Sequence, residues 1–183
     1  MQLKFDILGG SSSKVQLLKD LKDCPLTLVA FSNGPRKYVR RVLIELGLFE
    51  LFGDERLFAV EDCLPHCKPE KEAFDKIFAK LNIKASECVM VEDSMKNIRK
   101  AKELGVRTCL VTGAGKMSCR DNKTNGDDNN NNNKESDAAA AAEATKPGDA
   151  PVLDDPAVDV AIEIVEELRS KAPGLWQTPA TFP

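Results

Sequence analysis

The chain has 183 residues, 42% of them hydrophobic and 30% charged, with a net charge of −3. That suits one globular domain with a tail or insert. It leaves no basic face for nucleic acid, so an anionic ligand must be met by local positive groups. The longest apolar runs, such as residues 26–31, are too short to span a bilayer, and no membrane partner is expected.

Residues 1–10 carry one lysine and a short apolar patch, and no signal peptide is expected there. Residues 2–8 alternate, with Leu3, Phe5 and Ile7 against Gln2, Lys4 and Asp6, before Gly9, Gly10 and three serines break any strand. Val15, Leu17, Leu18 and Leu21 predict a short helix. Residues 26–31 form a continuous apolar run and read as a strand buried on both faces. It stops at Ser32-Asn33-Gly34-Pro35, where Pro35 suits a first helical turn, and Val39, Val42, Leu43 and Leu46 mark one helix face. A short strand is expected over 57–60. Lys68-Pro69 then opens a helix with Phe74, Ile77, Phe78 and Leu81 inward.

The next strand, 88–91, ends at two adjacent carboxylates, Glu92 and Asp93. Met95, Ile98, Ala101 and Gly105 follow at helical spacing, with Ser94 placed to cap that helix. A further strand spans 106–111. Residues 113–156 hold five Asn in a row, five Ala in a row and no periodic apolar face, so they read as a disordered insert. Order resumes with a strand near Val158-Asp159-Val160. Ala161, Ile164, Val165 and Leu168 predict a last amphipathic helix, closed by Pro173-Gly174. The units are therefore a core over 1–112, the insert over 113–156, a closing strand and helix over 157–177, and a tail over 178–183.

Six cysteines are present: Cys24, Cys63, Cys67, Cys88, Cys109 and Cys119. Cys88 and Cys109 fall in apolar strand patterns and read as buried thiols. Free thiols favour a reducing compartment, and the cytoplasm is the expected location. The spacing of Cys63, His66 and Cys67 is loose, no second ligand pair follows, and His66 is the only histidine, so no zinc site is expected.

Alternating strands and helices predict a parallel α/β sheet. In such a sheet Ser32-Asn33, Lys68 and Glu92-Asp93 share one edge, the edge where ligands bind. Each suits a phosphate. A hydroxyl and backbone N–H groups at a helix start hold anionic oxygens. An ammonium neutralises charge. Paired carboxylates hold a hard cation such as Mg²⁺. Taken singly, Ser32 or Asp93 reads equally as a helix cap and Lys68 as a surface lysine.

Phe31-Ser32-Asn33-Gly34, Cys67-Lys68-Pro69-Glu70 with Ala73-Phe74, and Val91-Glu92-Asp93-Ser94 with Asn97-Ile98 resemble the second, third and fourth motifs of haloacid dehalogenase-like (HAD) phosphatases. The close Pro173-Gly174-Leu175-Trp176 resembles the pyrimidine 5′-nucleotidase-like branch. The resemblance implies a Rossmannoid three-layer α/β core and a Mg²⁺-dependent phosphohydrolase acting on a small phosphorylated metabolite of the nucleoside monophosphate kind. It implies that Ser32 binds phosphate, with Asn33 and Gly34 adding backbone donors. Lys68 holds the phosphoryl charge, Asp93 binds Mg²⁺ with Glu92 helping directly or through water, and Asn97 orients the loop.

The chain departs from the family at its first motif, Asp-x-Asp-x-Thr, whose two aspartates are nucleophile and acid-base. Phe5-Asp6-Ile7-Leu8 imitates it faintly, with Leu8 in place of the acid-base. The favoured expectation is that this stretch is where the family chain returns from its cap. The nucleophile strand and cap are then expected upstream of Met1, and the central strand of the sheet is missing or replaced. The alternative function is a catalytically inactive HAD-like module that binds a partner or phosphometabolite. A phospho-receiver is disfavoured because its lysine comes last, and a dehalogenase because metal carboxylates have no role in its reaction.

Overall fold

The computed structural model describes residues 12–24, 26–113, 150–177 and 180–183. Residues 2–8 with Asp6, the Asn and Ala runs and Cys119 lie outside the described residues. The helices are α1 (Ser12–Lys22), α2 (Arg36–Glu45), α3 (Phe49–Phe52), α4 (Val60–Cys63), α5 (Lys71–Leu81), α6 (Met95–Glu103) and α7 (Leu168–Lys171). The strands are β1 (Ala30–Phe31), β2 (Leu57–Phe58), β3 (Val89–Glu92), β4 (Arg107–Val111) and β5 (Val160–Ile162). Pairing is parallel throughout, in two sheets ordered β1-β2 and β3-β4-β5. Among the described residues β1 and β3 share no ladder; residues 2–8, which alternate like a strand, lie outside them, and so does the expectation of a missing or replaced central strand.

Strand alternation sorts the side chains into layers. Val89, Val91 and Cys109 face Leu17 and Leu21 of α1, with Leu168, Ala172 and Leu175 from the end of the chain. Cys88 and Met90 face the opposite side, against Phe74 of α5 and Ala101 of α6. Leu43 of α2 and Leu51 and Phe52 of α3 pack with Ala30 and Leu28 on the α1 side. The result is a helix–sheet–helix core. Burial differs across the sheet: Thr108, Cys109 and Leu110 of β4 are wholly buried, whereas Val89, Met90 and Val91 of β3 are only half-buried.

The amphipathic patterns of α1, α2, α5 and α6 form helices where expected. In α6, Met95, Ile98 and Ala101 are all fully buried. Pro35 sits just before α2, with ψ 140, and Arg36 starts the helix. Differences arise where another partner competes. The run 26–31 has ladder pairing only at Ala30–Phe31, because β2 is two residues long and Val60 already begins α4. There the Asp62 carboxylate accepts from Ala59 N at 2.8 Å and pairs with Arg36 at 2.6 Å.

The expected amphipathic helix from Ala161 to Leu168 is also corrected. Ala161 and Ile162 lie in β5, and the helical segment is only α7 after a 3-10 turn, Val165–Glu167. Val158, Val160, Ile162 and Ile164 alternate at a period of two, and the free edge of β4 rewards that period with a parallel ladder. The close Pro173-Gly174-Leu175-Trp176 forms a 3-10 turn whose Leu175 is buried in the core.

Residues 150–156, expected within the insert, belong to the packed domain. Leu153 lies against Met95, Ile98 and Leu110, and Asp155 pairs with Arg99 at 2.9 Å and accepts from Ala157 N at 2.9 Å. Phe182, expected in a tail, packs with Leu17 and Leu21. The described cysteines are all free. Among the described residues no helix is long and apolar enough to cross a membrane.

Replacing residues 114–149 with a short Gly-Ser linker is expected to leave the melting temperature unchanged or higher, since each doubling of loop length costs only about 0.6 kcal/mol. Extending the replacement through Asp155 should lower it measurably by calorimetry, because Leu153 and the Arg99–Asp155 pair are lost.

Candidate phosphate and metal site at the strand ends

Lys68 is the centre of the strand-end cluster. Its ammonium Nζ donates to the Phe31 carbonyl at 2.9 Å and to Glu92 Oε2 at 2.8 Å. Both side chains of the Lys68–Glu92 pair are completely buried. Nζ also lies 4.7 Å from the centre of the Phe31 ring, which Phe74 supports edge-on at 5.6 Å. Phe31 ends β1 and Glu92 ends β3, so one ammonium joins the two sheets where no ladder does.

The second Glu92 oxygen, Oε1, accepts from the backbone N–H of Asp93 at 3.1 Å and of Ser94 at 3.3 Å. Burial alone would raise the Glu92 carboxyl. The Lys68 charge and hydrogen bonds outweigh it and hold the group well below the usual carboxylate range. Asp93 moves the other way. Packing desolvates its carboxyl even though the residue as a whole is exposed, and the hydrogen bond and negative charge of Glu92 add to this. Its pKa is pushed up to about 7.

Around Lys68 the loop residues interlock. Asn33 Nδ2 donates to the Lys68 carbonyl at 2.8 Å, and Lys68 N donates to Asn33 Oδ1 at 3.0 Å. Ser32 is buried, and its Oγ accepts from Gly34 N at 3.0 Å. A Cβ at Gly34 would stand 3.3 Å from both Ser32 Oγ and Val39 Cγ2, so only glycine fits without a shift. Asn97 is buried on the first turn of α6.

The sequence-predicted residues Ser32, Asn33, Gly34, Lys68, Glu92 and Asp93 thus lie in loops tied to one another at the carboxyl ends of β1 and β3. The tasks are shared out differently from the expectation in two places. The Glu92 oxygens are taken up by Lys68 and two amides. Asn33 is engaged through its side chain as well as its position, and the Phe31 carbonyl is a further participant. Nothing in the sequence marks a carbonyl or the direction of an amide.

The donor set fits a magnesium ion at Asp93. The carboxylate of this exposed residue, beside the ionised Glu92, is a hard oxygen donor of the kind Mg²⁺ takes. Away from this edge, His66 Nδ1 bonds Glu70 Oε2 at 2.7 Å on the outer side of the lysine loop. Among the described residues His66, Glu70 and Glu72 place donor atoms within 4.8 Å of one another. The Cys63 thiol is buried and turned to the Ala73 carbonyl at 3.8 Å, away from this group.

Residues 11–105 match the family model for the haloacid dehalogenase-like hydrolases. The chain belongs to this family. A phosphoglycolate phosphatase of Vibrio parahaemolyticus is 32% identical over 90 residues, covering 49% of this chain and 38% of the relative. The validoxylamine A 7′-phosphate phosphatase of Streptomyces hygroscopicus is 27% identical over 92 residues, covering 50% of this chain and 42% of the relative. The chain therefore spans about two-fifths of the length of these relatives. Among solved structures, an L-2-haloacid dehalogenase from Xanthobacter autotrophicus superposes with a TM-score of 0.60 at 17% identity over 89% of this chain and 60% of its own. A HAD family hydrolase from Deinococcus radiodurans with bound phosphate and sodium superposes at 0.51 with 21% identity over 57% and 45%. These structural likenesses establish the HAD α/β fold.

Lys68→Met should destabilise the chain by about 3–5 kcal/mol in urea titrations, because it strands the buried Glu92 charge. Adding Glu92→Met to it should restore most of that loss; an additive result would show that the two groups are not energetically paired. Asp93 has a folded-state pKa raised from 3.8 to about 7, so its contribution to stability is full below pH 4 and fades as pH rises through 7. Asp93→Asn should accordingly raise the melting temperature at pH 8 and leave it unchanged near pH 4.

Proposed function

We propose that the chain carries the phosphate-binding, lysine and metal-binding parts of a Mg²⁺-dependent HAD phosphomonoesterase. The observation that carries this is the pairing at the strand ends: an ionised Glu92 locked to Lys68 beside an Asp93 held up by desolvation and by the hydrogen bond and charge of Glu92. Two neighbouring carboxylates driven apart in this way leave one fixed as a structural anion and one poised to take a cation. The curated relatives named above are phosphatases, and that supports a phosphomonoester as the substrate class. Its narrowing to a nucleoside monophosphate rests on the resemblance of the Pro173-Gly174-Leu175-Trp176 close to the pyrimidine 5′-nucleotidase branch.

In this reading Ser32 Oγ and the N–H groups of Asn33 and Gly34 receive the phosphate oxygens just before the start of α2. The Gly34 N–H that now bonds Ser32 Oγ is the natural donor to share. Lys68 faces the phosphoryl group from the buried side and offsets charge that builds on it, its ammonium direction fixed by Phe31 O and Glu92. Asp93 would hold Mg²⁺, which supplies a second positive charge for the phosphate oxygens. Asn97 steadies the turn from β3 into α6.

The alternative, a HAD-like module without turnover, is supported by the sequence, which contains no Asp-x-Asp-x-Thr. Two measurements on the 183-residue chain test the metal assignment and turnover separately. Mg²⁺ at pH 8 should raise the melting temperature of the wild type and not of Asp93→Asn, at millimolar concentrations. Hydrolysis of p-nitrophenyl phosphate is expected to be undetectable for this chain alone. Turnover abolished by Asp6→Asn would instead make Asp6 the attacking carboxylate. A Mg²⁺ effect unchanged in Asp93→Asn would overturn the metal assignment.

A further inference from the structure

We propose that Asn33 is a positioning residue for Lys68, acting through its side-chain amide on the lysine main chain. The proposal deepens the phosphatase reading and rests on it for what the ammonium serves. The clasp itself is visible without that reading.

Asn33 Nδ2 donates to Lys68 O at 2.8 Å while Asn33 Oδ1 accepts from Lys68 N at 3.0 Å. The amide therefore does what one residue of a neighbouring strand does, donating and accepting along a single edge of backbone. Lys68 lies 35 residues away in the chain, in the loop that precedes α5, so this contact is not a local turn. Among small side chains only Asn offers both a donor and an acceptor in one fixed plane; Asp accepts only, and Ser reaches less far.

The consequence lies at the other end of the lysine. Its long stem loses rotamer entropy when it is held, and an unheld backbone would add further freedom. Here the main chain is fixed on both sides by Asn33, and the ammonium is fixed by Phe31 O and Glu92 Oε2. Phe31 and Asn33 flank the buried Ser32, so the segment that would hold the phosphate also sets both ends of the lysine. A shift of the 31–34 segment on phosphate binding would be transmitted to Lys68 at both ends.

The test uses the full 183-residue chain with ¹⁵N-labelled lysine. The ammonium signal of Lys68, protected by burial, is assigned by its disappearance in Lys68→Arg. In Asn33→Ala its hydrogen exchange should become roughly tenfold faster, the factor equivalent to about 1.4 kcal/mol. Asn33→Asp, which keeps the acceptor and loses the donor, should fall in between. Ile77→Val, a core change remote from the loop, supplies a control for lowered stability and should leave the exchange rate near that of the wild type. Equal exchange in Asn33→Ala and Ile77→Val would overturn the proposal, as would the lack of a protected ammonium in the wild type. A parallel titration with Mg²⁺ and inorganic phosphate separates the two readings. Failure of the wild type to bind phosphate would count against the phosphatase reading, while the exchange data would still decide the clasp.

Discussion

The buried ion pair between Lys68 and Glu92 is the contact on which the arrangement of the site depends. Taking two charges out of water costs several kcal/mol per ion, and attraction alone rarely returns more than that. Here the remaining valences are filled as well. The ammonium reaches a carbonyl and an aromatic face, and the carboxylate accepts two main-chain amides. An apolar pair of similar volume could be as stable. What it could not do is join the end of β1 to the end of β3 through hydrogen bonds and present a positive charge at that edge.

That junction matters because the two sheets have no ladder between them among the described residues. Val89, Met90 and Val91 are half-buried, and the 26–31 run pairs only at Ala30–Phe31 because β2 is two residues long. Side chains bridge the two sheets instead. Leu17 and Leu21 of α1 pack against Leu28 from one sheet and Val89 and Val91 from the other. On the far face Phe31 and Met90 meet around Phe74. Among the described residues the apolar layers are therefore continuous across the two sheets, and Lys68 ties the carboxyl ends of β1 and β3.

The pairing also decides the chemistry of Asp93. Two carboxylates in sequence would titrate alike in an unfolded chain. The lysine takes Glu92, whose side chain strand geometry turns inward, and desolvation together with the ionised Glu92 then raises its neighbour. The Glu92 oxygens are taken by Lys68 and two main-chain amides, which leaves Asp93 as the exposed acidic residue of the pair at this edge.

Much of this was legible in the chain alone. The 3.6-residue spacing of Leu43 with Val39, of Phe74 with Ile77 and of Met95 with Ile98 predicts α2, α5 and α6, because a helix face is a property of near neighbours. The order of strands and helices placed Ser32, Lys68 and Glu92-Asp93 at one edge for the same reason. What depends on partners distant in sequence was not legible. Ala161, Ile164, Val165 and Leu168 carry a helical spacing while Val158, Val160, Ile162 and Ile164 alternate, and pairing with β4 selects the strand. The end of the expected insert moved because Leu153 finds a pocket formed by α6 and β4. Whether Glu92 or Asp93 meets Lys68, and that Asn33 meets its main chain, follow from how the two loops are brought together by the core. Residue types fix which hydrogen bonds and charges a chain can offer; the packing of elements 24 to 35 residues apart decided which of them are made.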